Sequence, residues 1–233
     1  MALTTHPPRA PLWRSTVGKK AAMAVSGLVL LAYLVAHMLG NLKIFFGAGE
    51  LNGYAAWLRT IGRPFLGHEW FLWMARTVLL AAVLVHGTAA YQLSRRDLAA
   101  RPTGYRHTRA RASYATRTMR WGGVILGLFI VWHILDLTTL TVNSRAEQGH
   151  PYQNVVASFH TWYSGWIYCL AMLALGLHIR HGFWSAAQTL GLNSQHGNPR
   201  RDRVLKLAAN ALALLLTAGF LSVPIAVMTG AVK

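Results

Sequence analysis

A chain of 233 residues in which 54% are hydrophobic and only 12% are charged is too apolar for an ordinary soluble domain, and it points to a membrane protein. The formal net charge of +17 would suit nucleic acid, yet the basic residues sit in particular connections between apolar runs, so no nucleic-acid partner is expected. A single cysteine, Cys169, excludes an internal disulfide and any cysteine-held cluster within this chain; packing is its expected role.

Residues 1–18 carry Pro7, Pro8 and Pro11 without an apolar period and read as an irregular cytoplasmic tail. One all-α transmembrane domain is expected over 19–230, with helices at about 20–46, 70–94, 120–140, 155–187 and 204–228. Each reaches the roughly 20 residues needed to cross the hydrocarbon core. The first run is too long for a signal h-region, so it is expected to stay as an anchor. Gly27 and Gly40 on helix one suit either helix packing or room for a bulky ligand.

Between helices one and two, Tyr54-Ala55-Ala56-Trp57-Leu58 suits a short helix on the outer surface, and Trp70 and Trp73 read as interfacial anchors. Arg76, about two turns into helix two, suits snorkelling or pairing with a ligand carboxylate. The connection Ser94–Arg117 is the most cationic stretch and suits anionic lipid headgroups or a docked soluble partner. Helix three carries Gly122, Gly123 and Gly127, then Trp132, His133 and Asp136; Asp136 reads mainly as structural. His160, Trp162, Tyr163 and Trp166 mark an interface at the start of helix four, and Pro224 lies in a last helix without histidine.

Charge sets the topology. The tail, the second connection and the fourth connection hold 16 of the 23 Lys and Arg residues. Cytoplasmic connections carry the excess of Lys and Arg, so the N-terminus is expected inside and the C-terminus outside.

Four histidines, His37, His86, His133 and His178, fall in four different apolar runs. An ionisable side chain at membrane depth is costly and calls for a partner or a function. Counting about 1.5 Å per residue from the flanking basic residues puts His37 roughly 25 Å and His133 roughly 20 Å from the inner boundary. His86 lies only about 14 Å from it, and His178 close to it beside Arg180. The expected pairs are therefore His37 with His133 towards the outside and His86 with His178 towards the inside. His181 competes with His178 on helix four. Two pairs of neutral imidazoles suit two bis-His, six-coordinate haems that carry electrons rather than bind substrate. A zinc site fits less well for lack of third and fourth ligands. A histidine proton relay, as in a transporter, does not account for depth-matched pairs.

Several runs in order carry a family resemblance: Ser26-Gly27; His37-Met38-Leu39-Gly40-Asn41-Leu42; His133-Ile134-Leu135-Asp136-Leu137-Thr138; and His178-Ile179-Arg180-His181-Gly182-Phe183-Trp184-Ser185 continuing to Gly191. Together they resemble the five-helix, di-haem cytochrome b subunit of succinate dehydrogenases and fumarate reductases, from about Lys19 to Val227. The resemblance implies that helices one to four hold two haems b and that His178, four positions before Gly182, is the helix-four ligand. Arg76, Arg180 and His181 become candidate neighbours of the haems. It also implies a bacterial plasma (inner) membrane, a flavoprotein subunit and an iron-sulfur subunit on the cytoplasmic face, and a quinone, menaquinone in particular, as electron acceptor. Dicarboxylate chemistry would lie in the partner subunits. Another quinone-linked membrane dehydrogenase is the alternative setting. Some fumarate reductases of this type carry a glutamate two positions before the helix-four ligand for proton movement; here that position is Gly176, which argues against such a route.

Overall fold

The computed structural model describes residues 12–100, 110–192 and 198–233, and side chains from residue 13 with those of 110–117 left out. The tail expected over 1–18 falls largely outside the described residues, as does the centre of the cationic second connection. The described residues are helical and contain no strand. Seven α-helices follow in order: α1 (Thr16–Asn41), α2 (Ala48–Leu58), α3 (Trp70–Ala99), α4 (Ala110–His133), α5 (Pro151–Phe159), α6 (Trp162–Thr189) and α7 (Pro199–Met228). Five segments are long and apolar enough to cross a membrane: Thr16–Phe46, Trp70–Ala99, Thr118–Thr138, Trp162–Thr189 and Pro199–Met228. Large apolar side chains such as Leu80, Leu84, Leu128, Leu170 and Leu214 are left exposed, as lipid-facing positions are.

Several boundaries differ from the expected ones, each for a local reason. α1 begins at Thr16 because Ser15, in extended conformation, accepts the Gly18 N–H with its hydroxyl. α7 begins at Pro199 rather than near 204; Asn198 caps it by accepting from Arg200 N, and proline suits the first helical turn. The fourth span is not one helix over 155–187. It breaks at His160 and Thr161, where Thr161 is extended and its carbonyl accepts the amides of Ser164 and Gly165. α5 is thereby freed from the axis of α6, and His160 is left exposed at the C-cap of α5. The short helix expected in the first connection is α2, introduced by a 3₁₀ turn over Leu42–Phe46 and by Gly47, whose φ of 95° suits glycine.

At one end, where α1, α4 and α7 start and α3 and α6 finish, polar contacts tie the helices together. Arg96 donates to Arg14 O (2.9 Å) and Thr16 Oγ1 (3.2 Å), Lys19 Nζ donates to Gln92 Oε1, and Arg120 pairs with Asp97 at 2.5 Å. The opposite end is covered by α2 and α5. Asn52 joins them, donating to Gln153 Oε1 (3.1 Å) and accepting from Tyr152 N (3.0 Å). Beneath this cap Ile44, Leu51, Phe159, Tyr168, Val223 and Val227 form a buried cluster. We refer to these as the basic end and the capped end.

Between the ends α1 packs on α3 and α6, α4 on α6, and α7 on α6 and α1. Among the described residues there is no comparable seam between α3 and α4, nor across the diagonals α1/α4 and α3/α6. The α6/α7 seam depends on small residues: a Cβ at Gly176 would collide with Thr217 Oγ1. Gly176→Leu is therefore expected to destabilise the bundle by about 1–3 kcal/mol through overpacking. Gly49→Ala, where nothing lies within 4 Å of the added carbon, serves as the control in thermal unfolding of the detergent-solubilised chain.

Candidate functional site

The histidines on α1, α3, α4 and α6 meet two by two across the diagonals of the bundle. The His37 and His133 rings have centroids 5.8 Å apart, and those of His86 and His178 are 6.1 Å apart. These separations occur where the backbones themselves do not pack, so each diagonal is bridged by side chains alone. First-row metal ions bind imidazole nitrogen at about 2 Å, so two imidazoles on opposite sides of one ion have centroids roughly 6 Å apart. The donor set fits a bis-His haem on this measure. Among the described residues no group of three or more His, Cys, Asp and Glu side chains converges, as a structural zinc site would need.

The two pairs lie at different levels. His86 Nδ1 is 3.0 Å from Met23 O, and a Cβ at Gly27 would meet the His86 ring at 3.1 Å. His37 lies 10 residues beyond Gly27 and 14 beyond Met23 on the same helix, roughly 15–21 Å further along its axis. On the other side, a Cβ at Gly123 would come 4.0 Å from the His178 ring, and His133 is 10 residues, or about 15 Å, beyond it. The interval is filled by Leu31, Leu34, Val35, Leu126, Met172 and Leu175.

Hydrogen bonding fixes the tautomer of two of the four rings. A backbone carbonyl only accepts, so His86 Nδ1, at 3.0 Å from Met23 O, carries the proton and Nε2 keeps its lone pair. The Tyr168 hydroxyl donates to Asp136 Oδ2 (2.9 Å), so its oxygen receives the proton of His133 Nδ1 (3.1 Å). His133 Nε2 is left free in the same way. A metal-bound histidine is commonly held through its other nitrogen in this manner. His178 Nδ1 is buried without a hydrogen-bond partner among the described residues, and the His37 ring stacks on Tyr33 at 5.2 Å and 15°.

Gly27 admits the His86 ring and Gly40 admits Tyr54, whose Cε1 would lie 2.9 Å from an added Cβ. Both glycines thus make room for side chains of the protein. Gly87 on α3 and Gly122 and Gly127 on α4 have nothing among the described residues within 4 Å of an added Cβ. Gly176 lies buried against Thr217, which leaves no volume for a longer side chain.

The exposed Arg76 guanidinium lies over Trp73 at 4.8 Å. Arg180 is also exposed, with Nε donating to Asn210 Oδ1 at 2.7 Å across the α6/α7 seam. His181 is half-buried next to it. Tyr168, Ser158 and Ser164 were not singled out as site residues by sequence reasoning. The only signal was a tyrosine ten positions before His178, which sequence spacing alone does not bring to His133. Comparison with known proteins finds no matching family model, no matching curated protein and no matching solved structure.

Proposed function

We propose that this chain is the di-haem cytochrome b membrane subunit of a succinate:quinone oxidoreductase in a bacterial plasma membrane. It anchors a flavoprotein and an iron-sulfur subunit at its basic end, and with them delivers electrons to quinone. The observation that carries the proposal is the pairing of His37 with His133 and His86 with His178, at two levels, across the unpacked diagonals. Haem, when bound, supplies one-electron redox chemistry at each level. The chain's part is to present His86 and His133 through Nε2 by holding their Nδ1 protons, with no packed seam between α3 and α4 among the described residues. Apolar side chains stand between the levels. Electrons cross such a layer, whereas a histidine proton relay would need polar groups within it. The excess of basic residues at one end supports a cytoplasmic location for that end, with the N-terminus inside and the C-terminus outside.

Purified chain should contain two low-spin haems b, counted by haem-to-protein ratio and seen in a reduced-minus-oxidised spectrum. A chain without haem would overturn the proposal in favour of a transporter-like histidine relay. Two haems with reduction by an electron donor other than succinate would instead place it with another quinone-linked dehydrogenase.

A further inference from the structure

The two levels differ in what stands behind their histidines. Behind His86 is a neutral carbonyl, Met23 O. Behind His133 is a chain of hydrogen bonds that ends on a carboxylate. His133 Nδ1 donates to Tyr168 Oη (3.1 Å), Tyr168 Oη to Asp136 Oδ2 (2.9 Å), and Ser158 Oγ to the same Oδ2 (2.6 Å). Because the Ser158 proton is given to Asp136, Ser164 Oγ is the donor to Ser158 Oγ at 2.7 Å. Asp136 is 2% exposed, Ser164 2% and Ser158 3%, so water does not weaken these bonds.

The backbone is built around this contact. Immediately after His133 the helix widens into a π turn over Ile134–Thr138, with Thr139 N bonded to Ile134 O at 2.8 Å. Single π turns recur at functional sites. Here His133 and Asp136 both reach the one hydroxyl of Tyr168 on α6, while the α5/α6 break brings Ser158 to the same carboxylate oxygen.

We propose that Tyr168 and Asp136 are positioning residues of the His37/His133 site. Asp136, acting through the Tyr168 hydroxyl, holds the Nδ1 proton of His133, makes its Nε2 a stronger donor, and lowers the reduction potential of the iron bound there. This rests on the di-haem proposal above. A histidine whose other nitrogen donates towards a carboxylate is a more basic ligand, and a more basic ligand favours the more highly charged, oxidised metal. Among the described residues the His86/His178 site has no such device.

The test is a potentiometric titration of the complete complex in its membranes, following each haem by its absorbance. Asp136→Asn and Tyr168→Phe should each raise the midpoint of one component and leave the other in place. The expected size is about tenfold in the reduced-to-oxidised ratio at fixed poise, or ~59 mV for one electron. The moving component should be the one absent from His37→Ala. Adding Asp136→Asn to Tyr168→Phe should produce little further shift, which a merely structural role would not produce. Asp136→Asn nearly conserves shape, so it decides the matter if Tyr168→Phe fails to accumulate. Two haems whose midpoints ignore Asp136→Asn would overturn the inference, as would an Asp136→Asn effect undiminished without the Tyr168 hydroxyl. A wild-type complex without haem would instead sink the parent proposal.

Discussion

Alanine at His86 or at His178 is expected to abolish the same one of two haem signals, and alanine at His37 or His133 the other. Each substitution should lower the haem content by about half, because a six-coordinate site that loses one axial imidazole loses one of its two protein bonds to iron. The pairing follows from ring separations of 5.8 and 6.1 Å across diagonals that no backbone seam closes. Cross-combinations separate cleanly: His37→Ala with His133→Ala should still bind the inner haem, whereas His37→Ala with His86→Ala should bind none. His181→Ala should retain both, since its side chain belongs to neither ring pair. Loss of a haem in His181→Ala with retention in His178→Ala would reassign the ligand on α6. Spectra of the four single variants in membranes are enough to read the pattern.

Much of this arrangement was legible in the sequence because it rests on one-dimensional signals. Apolar runs of about 20 residues mark the spans, and counting residues from flanking basic residues puts histidines of different runs at comparable depth. What escaped is set by tertiary contacts. The continuous apolar character from Val155 to Leu177 hides the break at Thr161, which depends on α5 turning aside to meet α2 through Asn52. The π turn after His133 has no propensity signature, and it makes sense only beside Tyr168 and Ser158. Asp136 was recognised as a polar residue near the end of a helix, but its burial and its two hydroxyl donors come from elements 22 and 32 residues away in sequence. Gly27 was legible as a close-approach position, but its occupant, the His86 ring, was not.

The largest functional effect expected is a dependence of succinate oxidation on membrane potential. On the proposed function and topology, electrons that enter at the basic end and leave at the His37/His133 level would move from the cytoplasmic side towards the outside, through a gap of about 15 Å or more between levels. If menaquinone is the acceptor, succinate is a weak reductant for it and the reaction needs a further driving force. One charge moved across about 100 mV is worth about 2.3 kcal/mol, so two electrons crossing the full potential gain roughly 4.6 kcal/mol. At about 1.4 kcal/mol per tenfold, that is more than three decades in the equilibrium constant. An uncoupler should therefore slow quinone-linked succinate oxidation strongly in intact cells or sealed right-side-out vesicles, while activity with a soluble artificial acceptor at the basic end persists. His37→Ala should separate the same two activities without any uncoupler, because it removes the exit level and leaves the entry level in place. Quinone reduction that ignores both treatments would put the acceptor near His86 and His178, and the second pair would then need another purpose.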